Sequence, residues 1–475
     1  MPSETLQVPA RAKTSELPDR SLDAVIRLAM LLLALGNVGA VLAFFTVRWS
    51  ALWSYRMEKM AVTGYVVVMV LAVQLGWWSR RIRPRVLLLN VSQALVVIAL
   101  ACADAVLTRM PSLLPTVLIN FEPRLNPALE QARETLLDYL PYSPWVRFKP
   151  HILVRTIGDR RDDFVYTWTT DRFGFKNDDA FAERAARDGV AAVAIGDSFV
   201  EAAGVPTEET WVSRLSRRGF PTYNLGVQAF APQQMAGALD RFGRHFRARY
   251  VLIGYTPGFE GRTLRVRDAG AKLGDPAFQS MLEPQYLQER RPSDIPRWRV
   301  LNAALELSKS RLRYLLRTRR ARCHAAAPGS VFTPYCAEVQ DGARVSFNPS
   351  GEPWRLTAAS LEETARIARE MGASPVIVLF HSRAFLYYPR VMGRDAPADH
   401  YERRTAQTLR AWAQRHGVEL IDTELVFVRY LAGVDESADV SALPFFLADG
   451  HIGPVGQRLV AEAVADTLGR EAFAP

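Results

Sequence analysis

The chain has 475 residues, of which 49% are hydrophobic and 23% charged, and its formal net charge is +10. At roughly 100–200 residues per domain this length allows two to four domains, and the balanced composition excludes wholesale disorder and collagen-like repetition. Three cysteines exclude a disulfide-dense scaffold, and no CxxC or HExxH spacing suggests a zinc site; no metal or organic cofactor is signalled. The positive charge can signal nucleic acid, anionic lipid or an acidic substrate. A mean hydropathy of −0.03 can hide unlike parts that cancel.

Read from the N-terminus, residues 1–23 form a polar tail with Arg11, Lys13 and Arg20. Three uncharged apolar runs follow within residues 24–107: Leu28 to Val47, Met60 to Trp78, and Val86 to Ala103, the last extending to Leu107 past Asp104. A bilayer crossing takes about 20 apolar residues, so these runs predict three transmembrane helices. Short loops rich in Lys and Arg stay cytoplasmic. The loop Ser79 to Arg85 carries Arg80, Arg81, Arg83 and Arg85, and with the basic tail it predicts an inside N-terminus. The intervening loop, with Arg48, Arg56 and Lys59, makes the contrast moderate. Three crossings from an inside start place everything after about Thr108 outside the cytoplasm, where a nucleic-acid partner is not expected. No small-residue cleavage site follows a short apolar core, so the first span reads as an uncleaved anchor.

Residues 108–189 are irregular, Pro-punctuated and aromatic, a lead-in segment expected to fold back onto the domain C-terminal to it. From residue 190 to 475 short apolar runs alternate with amphipathic stretches. Ala191–Ile195, Tyr223–Leu225, Tyr250–Gly254, Pro375–Phe380 and Val418–Ile421 suit buried parallel strands. Leu361, Ala365 and Ala368 share one helix face, with Thr357 or Ser360 as caps and Gly372 as the stop. Further helices are expected from about His400 to Arg415 and Val455 to Leu468. The pattern predicts an α/β domain with a doubly wound parallel sheet. A basic insertion at about 262–354 interrupts it, read either as a solvated helix or as an anion-binding surface. Cys323 and Cys336 lie in the external part, where an oxidising compartment would let them pair; Cys102 sits in the third run as a packing residue.

The chemistry-bearing groups are sought where parallel strands end. The first strand ends in Ile195-Gly196-Asp197-Ser198, which sets a hydroxyl between strand end and helix start, beside free backbone N–H groups. A serine nucleophile needs a base. Of the seven histidines, His451 follows Asp449 by two residues in the loop before the last helix, matching an acid–base pair. His381, directly after the strand PVIVLF, is the rival, with no acid beside it in sequence.

AAVAIGDSFVEAAGVP, NLGVQAFAPQQ, VLIGYTPGFEG and DGHIGPVGQRLVAEAV, in this order and spacing, resemble the SGNH (GDSL-type) hydrolase superfamily. More narrowly, with TTDRFGFKN (Thr169 to Asn177) ahead of them, they resemble its membrane-anchored bacterial members. The resemblance runs from about Tyr166 to Leu468 and implies a flavodoxin-like domain on the outer side of a bacterial cytoplasmic membrane. It implies Ser198 as nucleophile, His451 as base, Asp449 as acid, and the N–H groups of Ser198 and Gly226 as oxyanion donors. It also implies a departure. Arg262 falls where such members carry an oxyanion-donating Asn, and Thr263 where they carry Asp. Arg262 can replace that donor, bind an anionic substrate group, or point into solvent; His381 is a further candidate for substrate binding.

The expected activity is that of a serine esterase or O-acyltransferase acting on an acylated envelope glycan or lipid. In the transferase case a separate membrane protein would supply the acyl donor. The alternative is a non-catalytic polysaccharide-binding module on the same fold.

Overall fold

The computed structural model describes residues 17–46, 56–115, 137–157, 165–286, 330–342, 347–447 and 449–472, with isolated positions between 118 and 326. The chain divides into two units, one of Met1–Leu114 with Ser293–Ala304 and one of Pro115–Pro292 with Leu305–Pro475.

The first unit holds helices α1 (Leu17–Thr46), α2 (Arg56–Trp78) and α3 (Arg83–Arg109), at the places of the three apolar runs. Among the described residues, two stretches are long and apolar enough to cross a bilayer: Ser21–Val41 and Arg83–Arg109. The apolar part of α2, Thr63–Trp78, is shorter. Leu28, Leu32, Val68, Leu71, Leu88 and Leu95 all point outward, a surface suited to lipid. Cys102 is a free, exposed thiol and not a packing residue. Polar groups turn inward, where low dielectric demands partners. Asn37 Nδ2 donates to the Asn90 carbonyl at 3.0 Å. Arg83, counted among the loop arginines, is buried: it pairs with Asp23 and donates to the carbonyls of Gly76 and Trp77.

The second unit begins with an antiparallel hairpin of β1 (Leu153–Ile157) and β2 (Val165–Thr169), two strands the irregular lead-in pattern concealed. Helix α4 (Asp179–Asp188) then leads into β3 (Val190–Ile195). After it come α5 (Ser198–Glu201), α6 (Trp211–Arg217), β4 (Thr222–Asn224), α7 (Pro232–Phe242) and β5 (Ala248–Tyr255). Helices α8 (Phe259–Gly270), α9 (Cys336–Gly342) and α10 (Glu352–Glu370) precede β6 (Ser374–Leu379). The chain closes with α11 (Arg383–Leu386), α12 (Tyr401–His416), β7 (Glu419–Asp422) and α13 (Pro454–Ala472).

The five strands pair in parallel in the order β4-β3-β5-β6-β7, the doubly wound architecture that the alternating runs predict. Alternate strand residues feed two cores. Val193, Ile195, Val251, Ile253 and Ile377 pack with α7, α10 and α12 on one face. Ala192, Ala194, Leu252, Val376 and Val378 pack with α6 and α13 on the other. Lead-in residues Val146, Phe148, Val154, Trp168 and Phe175 belong to the first core. Helix α10 starts several residues before Thr357, because Gly351 caps it and Pro353 occupies its first turn. Thr357 is instead buried, its hydroxyl 2.9 Å from that of Thr263. His400 caps α12, accepting from the Glu402 N–H at 3.2 Å.

Cys336 is disulfide-bonded; Cys323, its expected partner, lies outside the described residues, as does much of the basic insertion.

Candidate active site

Strand β3 delivers Gly196-Asp197-Ser198 to the C-terminal edge of the sheet. A Cβ on Gly196 would lie 2.3 Å from Val200 Cγ2, so glycine alone lets α5 turn so tightly off the strand. Asp197 caps α5 by accepting the Phe199 N–H at 3.0 Å. Ser198 is thereby the first residue of the helix, 6% exposed, and among the described residues no acceptor takes its N–H.

Ser198 Oγ lies 2.8 Å from His451 Nε2, across 253 residues of sequence. His451 Nδ1 is hydrogen-bonded to Asp449 Oδ1, which also accepts the His451 N–H at 2.8 Å. Burial alone would lower the His451 pKa, but the Asp449 carboxylate, with Asp197 and Glu201 behind it, holds it above the ordinary value. The imidazole can take a proton from the hydroxyl on one side while the carboxylate fixes its tautomer on the other. The Phe199 ring packs 5.7 Å from the imidazole and 5.5 Å from Phe380, walling one side.

Three expectations change. The Gly226 N–H does not face an oxyanion: it donates to Asn224 Oδ1 at 2.8 Å. This glycine serves close packing, since a Cβ there would meet the Glu201 nitrogen at 2.2 Å. Arg262 does not point into solvent. It lies in the first turn of α8 and pairs with Asp197 Oδ2 at 2.5 Å, stacked over Phe259 at 5.5 Å. Asp197 is 1% exposed, so the guanidinium neutralises a buried carboxylate beside the nucleophile.

His381 is fully buried, and among the described residues its polar partners are Asp422 and Glu402, not Ser198, Asp449 or His451. It has acids that the local sequence hides: Nε2 is 2.9 Å from Asp422 Oδ1, and Nδ1 is 3.4 Å from Glu402 Oε2. The second distance allows charge attraction without hydrogen-bond alignment, leaving Nδ1 without a hydrogen bond. Burial opposes its protonation, yet the two carboxylates prevail and raise its pKa to about 9. His381, Asp422 and Glu424 have metal-ligand spacing among the described residues, but Asp422 is already paired with His381 and Arg410.

Behind the nucleophile, the TTDRFGFKN segment grips α5, which local sequence reading did not reveal. Asp171 accepts the N–H groups of Phe173 and Phe175, the Asn177 amide and the Tyr223 hydroxyl. Asn177 exchanges hydrogen bonds with the Asn224 backbone, and Asn224 Nδ2 donates to the Val200 carbonyl at 2.9 Å. Lys176 Nζ donates to the carbonyls of Ala202 and Val205, at 3.0 and 2.7 Å, and to Tyr166 Oη. Burial pulls the Lys176 pKa down and pushes that of nearby Glu201 up.

No family model and no curated protein matches the chain. Solved structures similar to it include TesA, 15% identical over 59% of this chain and 98% of that one, with a TM-score of 0.29. LAE5, an alpha/beta hydrolase enzyme from the metagenome of Lake Arreo, Spain, is 14% identical over 59% of this chain and 95% of its own, with a TM-score of 0.30. A catalytic mutant of Axe2, an acetylxylan esterase from Geobacillus stearothermophilus, is 10% identical over 60% and 96%, with a TM-score of 0.30.

Proposed function

We propose that the chain is a membrane-tethered serine esterase or O-acyltransferase of the SGNH type, acting on an acylated glycan or lipid of a bacterial cell envelope. The observation that carries this reading is the continuous contact from Ser198 Oγ through the His451 imidazole to Asp449. His451 Nε2 takes the Ser198 proton as Oγ attacks the ester carbonyl. The Ser198 N–H donates to the oxyanion of the tetrahedral intermediate. The imidazolium, held by Asp449, protonates the departing alcohol and leaves an acyl-serine. Water or a sugar hydroxyl then attacks the acyl group, with His451 again as base. Both outcomes share the acyl-enzyme, and transfer would draw its acyl group from a separate membrane protein.

In this reading α1, α2 and α3 each cross the bacterial inner membrane, and the catalytic unit faces away from the cytoplasm. The bonded Cys336 supports an oxidising compartment. A second reading, a non-catalytic binder of envelope polysaccharide, is favoured by one observation: the Gly226 N–H is already committed to Asn224. Loss of one oxyanion donor typically costs about 10²–10³ in turnover.

A fluorophosphonate probe on the full-length protein in detergent separates the two. The expected result is labelling of the wild type that disappears in Ser198→Ala. A folded wild type that takes no label overturns the enzyme.

A further inference from the structure

The loop carrying Asp449 and His451 is nearly without ladder pairing; among its described residues an isolated bridge joins Phe445 to Ile452. A catalytic acid needs firmer placement than that. Arg383 supplies it. This residue opens α11, capped by Ser382 three residues past the end of β6, and its side chain is 7% exposed. Nη1 donates to the main-chain carbonyls of Phe446 at 2.5 Å, Leu447 at 3.2 Å and Asp449 at 2.6 Å. The other edge of the guanidinium grips Glu338 of α9: Nε lies 3.0 Å from both carboxylate oxygens, and Nη2 is 2.7 Å from Oε2. Its flat face lies over the Tyr335 ring at 5.3 Å.

We propose that Arg383 is a positioning residue for the acid–base pair, with Glu338 fixing its orientation, so that the sheet and α9 together hold the Asp449 backbone at the place where its carboxylate meets His451. The proposal rests on the catalytic reading above. A guanidinium is suited to this because its donors radiate in one rigid plane, whereas an ammonium is a single point on a flexible stem. Lysine at this position cannot hold Glu338 and the loop carbonyls at once. The groups whose charge acts on His451 are Asp449, Asp197 and Glu201. Arg383 acts on the first of these through its backbone and leaves the other two in place.

The test uses the full-length protein in detergent, with Arg383→Lys and Glu338→Gln. For Arg383→Lys, kcat is expected to fall about 10- to 100-fold, the range a misplacement of about 1 Å can produce. KM is expected to stay within about twofold. The His451 pKa, read by NMR of labelled histidines, is expected to fall toward the ordinary 6.5, because Asp449 no longer abuts the ring. Glu338→Gln shifts both quantities less, in the same direction. In an Asp449→Ala background Arg383→Lys is expected to cost nothing further, since its effect passes through Asp449. A folded Arg383→Lys with unchanged kcat and His451 pKa, or a loss that adds fully to that of Asp449→Ala, overturns the proposal. Should Arg383→Lys fail to fold, Glu338→Gln decides by the same two readouts. The NMR pKa needs no turnover, so a wild type inert toward esters would sink the catalytic reading and still leave the role of Arg383 decided.

Discussion

In the proposed mechanism Asp449 controls the protonation of His451, and through it the pH at which Ser198 can react. A general base must be neutral, so activity is lost as pH falls through the His451 pKa. The carboxylate raises that pKa above 6.5, so the acidic limb of kcat/KM is expected above pH 6.5. Asp449→Asn should move the limb downward and lower the plateau, by up to about 10⁴-fold where the wrong tautomer results. A limb at the same pH in both proteins would contradict the assignment. Arg262 acts from the opposite side. It neutralises Asp197, which also caps α5 and accepts from Thr256 Oγ1 at 3.3 Å. Replacing Arg262 with Asn leaves a buried carboxylate short of its charged donor, at a cost of about 1–3 kcal/mol. The bare Asp197 charge favours the imidazolium, so the acidic limb should move up. Denaturant midpoint and pH profile together check this. An increase in esterase rate would show that Arg262 hinders the site and does not support it.

At the scale of elements, the sheet's far edge is tied by His381, which joins the end of β6 to Asp422 of β7 and Glu402 of α12. Its pKa rises to about 9 from 6.5, so the folded state binds the proton more tightly than the unfolded one. The sign is set by linkage: this stabilisation is fully present below pH 6.5 and is lost as pH rises through about 9. The melting temperature of the wild type should therefore fall across that window, and His381→Gln should start lower and show a shallower fall. Parallel curves would remove His381 from the account. The strands were legible because buried parallel strands are short apolar runs, and Ser198 was legible because GDS ends one of them. Asp449 and His451 are neighbours in sequence, so that pair was legible as well. Asp422 lies 41 residues from His381, Asp197 lies 65 from Arg262, and Glu338 and Phe446 lie 45 and 63 from Arg383, beyond the reach of periodicity or spacing. The same holds for the lead-in hairpin, whose apolar residues join a core built mostly by later helices.

For the whole molecule, the proposed placement of the Ser198 site outside the cytoplasm depends on the parity of the crossings, and that parity turns on α2. Two stretches satisfy length and apolarity outright, while the described apolar part of α2 is Thr63–Trp78. Two crossings from an inside N-terminus return the chain to the cytoplasm; three leave it outside. The full α2 helix has 23 residues, which at about 1.5 Å per residue exceeds the ~30 Å hydrocarbon thickness. The turn after it exposes Arg80 and Arg81, and the first turn of α3 exposes Arg85, which favours a cytoplasmic placement for that end. In the proposed topology the α2–α3 turn is therefore inside and both helices cross. Alkaline phosphatase fused after Leu468 is therefore expected to be active, and the same reporter inserted between Arg80 and Arg81 inactive. An inactive C-terminal fusion on a stably inserted protein would mean an even number of crossings, would return the Ser198 site to the cytoplasm, and would remove the cell envelope as its source of acylated substrate.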